Sequence, residues 1–240
     1  MKRLFLYMTV AATALMGCAD HDELPSGSKE QSGDKISLSG EIEQVYNTRA
    51  NDEGFADGDV MGVYIVDYNG TLPGTLLSSG NRCTNLRHTY NEAANSWQSA
   101  YDVYWKDKNT HIDVYGYYPV SQSNPEDVNA YVFSVQANQS TDATNEALGG
   151  YDASDFLWGK VEDVAPTSQV IRLPLRHRMS TARIELTEGT GFGTGEFAKL
   201  EKTITVKNTL RNATIDLATG SVTATGTVEQ TGILPYYYNK

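Results

Sequence analysis

Apolar and polar residues alternate with a period of two along much of this chain, which is the spacing of a strand with one buried and one solvated face. The clearest case is 170–179, where Ile171, Leu173 and Leu175 share one face and arginines share the other with a proline. Residues 60–66 instead form a nearly continuous apolar run, which predicts a central strand covered on both faces. Further strands are predicted over 111–118, 131–135, 203–206, 213–217 and 221–225.

The alternation changes phase near Ser180. Ile184 and Leu186 have the opposite parity to the apolar residues of the preceding strand, so a turn or bulge is predicted there with another strand beyond it. Residues 188–196, which are rich in glycine, predict a loop between two domains. Residues 218–220 lie between two short strands and predict a hairpin turn.

Short strands at this spacing, joined by Gly, Asn, Asp and Ser, predict an all-β fold of the antiparallel β-sandwich type rather than an α/β enzyme fold. The predicted N-terminal sandwich domain covers residues 36–188, and a C-terminal β domain covers 189–240. A complete sandwich domain has roughly seven strands, and the second region offers fewer. The C-terminal domain is therefore predicted to be short or incomplete.

Residues 1–17 have the layout of a secretory signal. Lys2 and Arg3 give it a positive start, and the apolar stretch 4–15 is too short to span a bilayer as a permanent helix. The run that ends at Cys18, with a small residue directly before the cysteine, resembles the lipobox of bacterial lipoproteins. That resemblance implies that the Cys18 thiol is acylated and anchors the mature chain to the outer membrane. The alternative is an ordinary secretory signal that happens to contain a cysteine.

Residues 18–35 are predicted to be a flexible acidic tether, because Ser, Gly, Lys and Asp dominate the segment and its apolar content is too low to pack. Its acidic start, 20–23, resembles the export tags that send some Gram-negative lipoproteins to the outer face of the outer membrane. A solvated stretch of tether is the alternative interpretation. The predicted localisation is the cell surface.

Charge and cysteine content narrow the classes of function. The formal net charge is −11 at pH 7, and an acidic surface argues against nucleic acid and anionic lipid as partners. Once Cys18 is lipidated only Cys83 remains, which excludes an intrachain disulfide and a zinc-finger type of metal site. We expect Cys83 to be a buried small apolar side chain. No cofactor fingerprint is present, and no cofactor is predicted.

Three apparent motifs are interpreted without catalysis. Ser26 and Lys29 match S-x-x-K, but they lie in the tether, where no fixed geometry could activate a serine. His177 lies on the apolar face of its strand, which favours a hydrogen-bonded core histidine over a catalytic base. Asp57 and Asp59 lack the rest of a calcium loop, so turn-capping carboxylates are favoured. No catalytic residue or metal ligand is predicted, and the protein is not expected to be an enzyme.

A series of short motifs occurs in a fixed order within residues 36–190. The sequences are NTRA at 47–50, FADGDVMGVY at 55–64, Trp105, YYP at 117–119, SDFLW at 154–158 and LPLRHRM at 173–179. In this order and spacing they resemble the fimbrillin-like lipoproteins, the subunits and accessory proteins of strand-exchange fimbriae in Gram-negative anaerobes. The resemblance implies two β-sandwich domains of transthyretin-like topology. It also implies assembly in which a terminal segment of one subunit completes a groove in its neighbour.

The same resemblance assigns roles to the start of the folded region. In the family, the subunit's own first strand fills the groove until an arginine-specific protease removes it. Arg49 stands where that cut would fall, between a predicted first strand at 36–46 and the motif at 55–64. Apolar residues alternate with polar ones in 36–46, which suits a removable strand. The alternative is that Arg49 is an ordinary loop arginine.

The predicted function is a cell-surface fimbrial subunit, anchor or adhesin, assembled by β-strand addition after an N-terminal strand is removed. Its predicted partners are other fimbrial subunits, the outer membrane through Cys18, and a ligand on a host or bacterial surface. The alternative is an outer-membrane lipoprotein that binds glycans on a platform of aromatic rings. Candidates for that platform are Trp97, Trp105, Trp158, Tyr101, Tyr104, Tyr115 and Tyr117, although core packing explains most of them equally well.

Overall fold

The computed structural model describes residues 34–43, 54–120, 123–144, 147–182, 184–227 and 230–234. The secretory signal, Cys18, nearly all of the tether and Arg49 lie outside these residues, so the statements about them stay predictions. No helix in the described part of the chain is long and apolar enough to cross a membrane.

The regular secondary structure of the described residues is almost entirely β, as the alternation predicts. Helical structure in them is confined to a 3-10 turn, Asp152–Ser154, and a one-turn helix α1, Glu196–Lys199. The strands in chain order are β1 (Ser37–Ile42), β2 (Val60–Asp67), β3 (Cys83–Asn91), β4 (Ser96–Ser99), β5 (Ile112–Tyr118), β6 (Tyr131–Ser134), β7 (Leu157–Val164), β8 (Val170–His177), β9 (Ile204–Thr209), β10 (Asn212–Asp216), β11 (Ser221–Thr225) and β12 (Gln230–Leu234).

These strands form two sheets and one ribbon. The large sheet has seven strands in the order β1-β8-β7-β5-β2-β3-β4, and the small sheet has three in the order β11-β10-β6. Strands β9 and β12 form a two-stranded ribbon. All described pairings are antiparallel except that of β1 with β8, which is parallel. The predicted antiparallel β-sandwich is confirmed, with one parallel pair at its edge.

Strand β2 shows why the sequence alternation disappears at the centre of the large sheet. Side chains of a strand point alternately to its two faces. Met61 and Val63 belong to one hydrophobic core, whereas Tyr64 and Val66 belong to a second core. Both faces of β2 are therefore covered, and its interior residues are buried throughout. The prediction of a central strand from the continuous apolar run is confirmed.

The first core lies on the face of the large sheet to which Met61 and Val63 point. It contains residues of all seven strands of that sheet. The two edges approach each other, because the Trp97 indole N–H of β4 donates to the Gly40 carbonyl of β1 at 3.0 Å. The sheet thus curls around the first core, and β1 is the strand that closes it.

The second core lies between the large sheet and the small one. Phe133 of β6 and Ile215 of β10 are buried against Tyr117 and Phe156 in this core. The hairpin predicted around 218–220 is confirmed, since β10 and β11 pair on either side of it. Gly220 has φ +69°, and a Cβ built there would lie 2.4 Å from the Trp158 ring, so both conformation and space require glycine at this turn.

The sequence predictions differ from the structure in one strand that is not formed and in four that were not predicted. The strand expected beyond Ser180 is not formed. Ile184 and Leu186 are 45% and 40% exposed and belong to no regular element, because alternation gives a strand only where a neighbouring strand is available to pair. Strands β3, β4, β7 and β12, in contrast, were not predicted. β3 is rich in polar residues, and Asn85, at φ +48°, interrupts its alternation.

The strands after residue 189 have two different pairings. Strand β10 pairs with β6 in the small sheet, whereas β9 pairs with β12. The division into domains at residues 188 and 189 stays a prediction. The intervening glycine-rich residues have no strand among those described.

Candidate functional site

Strand β1 is the edge strand of the large sheet that approaches the opposite edge, β4. On one side it runs parallel to β8, with Leu38 opposite Ile171 and Ile42 opposite Leu175. On the other side the Ile36 N–H donates to the Val103 carbonyl at 2.8 Å, in the segment that follows β4. β1 is therefore held by backbone hydrogen bonds along β8, and the residue before it is bonded to the segment that follows β4.

The inner face of β1 completes the first hydrophobic core. Ile36 and Leu38 are buried, at 6% and 8% exposure, and Ile42 packs against the same core. Beneath them lies an apolar surface that we call the β1 groove, formed by side chains of the large sheet. Its lining residues are Met61, Trp97, Ile171, Leu173 and Leu175.

Gly40 is the narrowest point of contact between β1 and this groove. A Cβ built on Gly40 would lie 2.8 Å from the Met61 sulfur and 3.4 Å from a Leu175 methyl group. Contacts closer than about 3.5 Å between carbon atoms are repulsive. The groove therefore accepts a strand with glycine at this position and would have to rearrange for any other residue.

The outer face of β1 is tied to β8 by charge. Glu41 accepts a hydrogen bond from Arg172, and Glu43 accepts two from Arg176, at 2.5 and 2.9 Å. The bond from Arg176 holds the pKa of Glu43 below its usual range. These pairs are exposed, and exposed ion pairs contribute little free energy. They set the register of β1 more than its stability.

A third ion pair holds the start of β1. Lys35 Nζ lies 2.6 Å from Asp102 Oδ1, and the hydrogen bond between them lowers the pKa of Asp102 and raises that of Lys35. Beside this pair, the backbone N–H of Trp105 donates to the Asp34 carbonyl at 3.0 Å. Residues 34 and 35, which precede β1, are therefore also attached to the segment that follows β4.

Sequence reasoning identified β1 as a strand but missed its partners. Glu41 and Glu43 each pair with one arginine, Arg172 and Arg176. The two glutamates are two residues apart and the two arginines four, so each set lies on one face of its strand. Those alternations were a usable signal. What the sequence lacked was evidence that β1 and β8, 131 residues apart at the Glu41–Arg172 contact, are neighbours.

After β1 the described chain resumes at Gly54, and Phe55 is again anchored. Its ring packs edge-on against Trp97, with 4.8 Å between ring centroids, and against Tyr118 at 5.8 Å. Arg49 belongs to the segment between these two anchored points and lies outside the described residues. The structure thus gives the two ends of that segment and leaves the role of Arg49 a prediction.

The aromatic platform is not formed by the residues proposed for it. Trp97, Trp105 and Trp158 are all buried. Each indole N–H donates to a backbone carbonyl, of Gly40, Thr167 and Leu217 respectively, at 2.8–3.0 Å. Tyr115 and Tyr117 are buried as well, whereas Tyr101 is exposed. Rings that fill a core cannot stack on a sugar, so this basis for glycan binding is wrong.

The carboxylates considered for calcium act as caps. Asp59 accepts hydrogen bonds from the Ala56 N–H at 2.7 Å and the Tyr118 hydroxyl at 2.9 Å, and Asp57 accepts from the Glu92 N–H at 3.0 Å. The turn-capping interpretation is confirmed. The described residues contain no group of three or more His, Cys, Asp or Glu side chains arranged to hold a metal ion.

The remaining titratable candidates are also structural. Cys83 is buried, which raises the pKa of its thiol to about 12, as expected of a small core residue. His177 is only partly buried, and its Nδ1 lies 2.8 Å from Asp155 Oδ1. It is hydrogen-bonded as predicted, at the border of the core rather than inside it.

Comparison with known families agrees with the resemblance that the motifs carry. A model of the fimbrillin-like family matches residues 48–236. The chain belongs to the fimbrillin-like family. The match reaches farther toward the C-terminus than the resemblance at 36–190 that the motifs carry. It includes β9 to β12 and so covers the region predicted as a second domain.

Solved structures share the fold of this fimbrillin-like chain. One is a provisionally assigned cell adhesion protein from Bacteroides uniformis, with 20% identity and a TM-score of 0.57, in which 85% of this chain aligns with 70% of that one. A similar protein from Bacteroides ovatus has 16% identity and a TM-score of 0.58, covering 85% of this chain and 72% of its own. At such identity the likeness extends to the fold alone. No curated protein matches the chain.

Proposed function

We propose that this protein is a non-enzymatic surface subunit, anchor or adhesin of a fimbria, and that it assembles with other subunits by β-strand addition. In this proposal β1 occupies the β1 groove until a protease cuts the chain after Arg49. A strand from another subunit then takes its place. Membership of the fimbrillin-like family and the fold shared with cell adhesion proteins support a role at the cell surface.

The observation that carries the proposal is the way in which β1 is attached. β1 and β8 form the one parallel pairing among the described strands, and β1 precedes every other strand that the structure describes. A cut between Ile42 and Phe55 would leave it joined to the folded part only by non-covalent contacts. Its outer ties are exposed ion pairs, which water can replace.

Loss of β1 would expose polar groups and apolar side chains that need new partners. The carbonyl of Leu175 and the Trp97 indole N–H would lose their partners in β1. The core around Ile36 and Leu38 would open to water. An unpaired sheet edge beside an apolar groove is a template for another strand, and a partner strand supplies main-chain hydrogen bonds and alternate side chains together.

Proteolysis followed by gel analysis tests this proposal. The mature chain is treated with an arginine-specific protease and run on a denaturing gel with and without heating. We expect a cut after Arg49 and a ladder of multimers that heating collapses. Arg49→Ala should remove both, whereas Arg87→Ala, a change within folded strand β3, should remove neither. A cut at Arg49 without any multimer would contradict assembly by strand addition.

Anchoring through Cys18 is a separate part of the proposal, supported by the lipobox-like sequence. We expect the wild-type protein to fractionate with the outer membrane after expression in a Gram-negative host. Cys18→Ala should be exported and recovered in the soluble periplasmic fraction. Labelling with a radioactive or clickable fatty acid provides the second readout. Membrane recovery of Cys18→Ala to the wild-type level would show that the lipid anchor is wrong.

A further inference from the structure

The small sheet ends in an edge strand that buries almost nothing. Among the described strands, β11 pairs with β10 alone, through Asn212–Asp216 opposite Ser221–Thr225. Val222 is 38% exposed, and Ser221, Thr223 and Ala224 are exposed too. Because its side chains contribute little to the core, detaching β11 would mainly exchange its hydrogen bonds with β10 for hydrogen bonds with water.

The sequence that begins in β11 repeats the sequence of β1. Residues 36–43 read ISLSGEIE, and residues 222–229 read VTATGTVE. Both segments carry apolar residues at the first, third and seventh positions, hydroxyl residues at the second and fourth, glycine at the fifth and glutamate at the eighth. In both segments the apolar residues thus fall on one face of a strand, and the glycine has the same position on that face.

These are the positions that the β1 groove selects. The groove is apolar where Ile36, Leu38 and Ile42 enter it, and a side chain in place of Gly40 would press on the Met61 sulfur. On the outer face Arg176 donates hydrogen bonds to the carboxylate at the eighth position, which is Glu43 in β1. A strand that enters in the same direction and register as β1 would bring Gly226 to Met61 and Glu229 to Arg176.

Two departures from the β1 sequence predict a weaker fit. Ala224 stands where β1 has Leu38, so it fills less of the groove. Thr227 stands where β1 has Glu41, so Arg172 would lose its partner. The protein's own β1, which is also tethered in the same chain, would therefore hold the groove until it is cut away. The order of events follows from this difference in fit.

We propose that the segment 222–229 of a second copy of this chain occupies the β1 groove, parallel to β8, with Thr223 opposite Val170. This inference rests on the proposed function, since the groove must first be vacated. The surface that donates differs from the surface that accepts, so each copy can give one strand and receive another. Such a head-to-tail contact builds an open chain of copies unless its rotation closes a ring.

Disulfide trapping in the full chain tests the proposed register. Val170 pairs with Ser37 in β1, so cysteines at Val170 and Thr223 should face each other between copies. Neither residue takes part in an ion pair. Cleavage is performed after Arg49 or, independently, at a recognition site for a second protease inserted within 44–53. The released fragment is removed by gel filtration, and the protein is oxidised and run without reducing agent.

We expect V170C/T223C to give a ladder of disulfide-linked multimers after cleavage and none before it. Each variant with only one of the two substitutions, V170C or T223C, should give at most a dimer, since the native Cys83 is buried. The matched control S37C/V170C should instead close a disulfide within one chain, lock β1 in place and give no ladder. Absence of the ladder in V170C/T223C, while S37C/V170C closes its bond, would overturn the inference.

A charge test checks the same register from the other end of the segment. Arg176→Glu and Glu229→Lys should each reduce the yield of the 170–223 cross-link several-fold, and the double variant should restore it. Glu201→Lys, an equal charge change at an exposed residue outside the segment, should have no effect. Unchanged cross-linking in Glu229→Lys would overturn the proposed register.

The outcome separates this inference from the proposed function. Heat-sensitive multimers of the cleaved wild-type chain without a 170–223 cross-link would mean that another strand fills the groove. The inference would then fail and strand addition would stand. If neither protease produces multimers or cross-links, both fail.

Discussion

The two edge strands β1 and β11 have closely similar sequences and very different surroundings. β1 lies between β8 and the segment after β4, and its apolar side chains close the first core. β11 has β10 on one side only, and its Val222 is 38% exposed where Ile36 is 6% exposed. The alternation in a strand thus specifies which face could be buried, and the neighbours decide whether that face is buried.

The difference also separates two ways of protecting a sheet edge. The apolar side of β1 is covered, and the strand is fixed in register by Glu41 and Glu43. β11 carries mostly hydroxyl side chains and is followed by Gly226 at φ +94°, which bends the chain away from the strand direction. Short, polar edge strands resist non-specific pairing. β11 can therefore be an exposed edge strand without non-specific pairing, while its apolar and polar residues alternate as those of β1 do.

The largest effect should come from truncation of the buried apolar residue of β1. Leu38→Ala is expected to lower the free energy of unfolding by about 2–5 kcal/mol, because it leaves a cavity in the first core. Val222→Ala, an apolar truncation in β11, should stay within about 0.5 kcal/mol, as surface substitutions do. Urea denaturation measures both. Equal losses would contradict the contrast in burial between the two strands.

The glycines of the two strands should respond to alanine for different reasons. Gly40→Ala brings a methyl group against Met61 and is expected to cost about 1–3 kcal/mol by overpacking. Met61→Ala should recover most of that loss in a double-mutant cycle. Gly226→Ala is strained by its positive φ rather than by space, since the nearest atom to its Cβ, in Asn212, is 3.8 Å away. Asn212→Ala should give no such recovery.

A smaller effect is expected where a tryptophan side chain ties β1 across the groove. Trp97→Phe keeps an aromatic ring but removes the hydrogen bond to the Gly40 carbonyl, at a cost of about 1 kcal/mol. Amide hydrogen exchange should show faster exchange in β1 and unchanged exchange in β11. Trp158→Phe, which removes the bond to the Leu217 carbonyl, should give the reverse pattern. Equal acceleration in both strands would mean that Trp97 does not tie down β1 specifically.

The smallest effect should be a pH dependence confined to β1. Bonds from Arg176 and Lys35 lower the pKa values of Glu43 and Asp102. A lowered pKa in the folded state stabilises docking above the pKa of the free group, about 3.9–4.3, and this stabilisation is lost as the pH falls through the lowered value. Exchange protection of β1 should therefore decrease below about pH 4, whereas β11, which has no titratable side chain, should stay unchanged. Arg176→Gln should weaken the decrease; a decrease of equal size in β11 would contradict this assignment.

Much of the fold followed from local patterns. The run at 60–66, the alternation in 170–177 and the hairpin around 218–220 depend on neighbours in sequence, and all three are present in the structure. The exceptions are strands β3, β4, β7 and β12, which the sequence analysis did not predict, and the segment at 184–186, which it expected to be a strand. In these regions the presence or absence of a partner strand decided the outcome.

For the candidate site, the sequence by itself determined that a strand with one apolar face would lie within residues 36–46, and that the chain belongs among fimbrillin-like proteins. Only the tertiary structure decided that β1 lies parallel to β8, that Arg172 and Arg176 meet its glutamates, and that the three tryptophans are core residues rather than a binding surface. The physical reason is that alternation fixes the two faces of a strand locally, whereas pairing and burial depend on residues more than a hundred positions away.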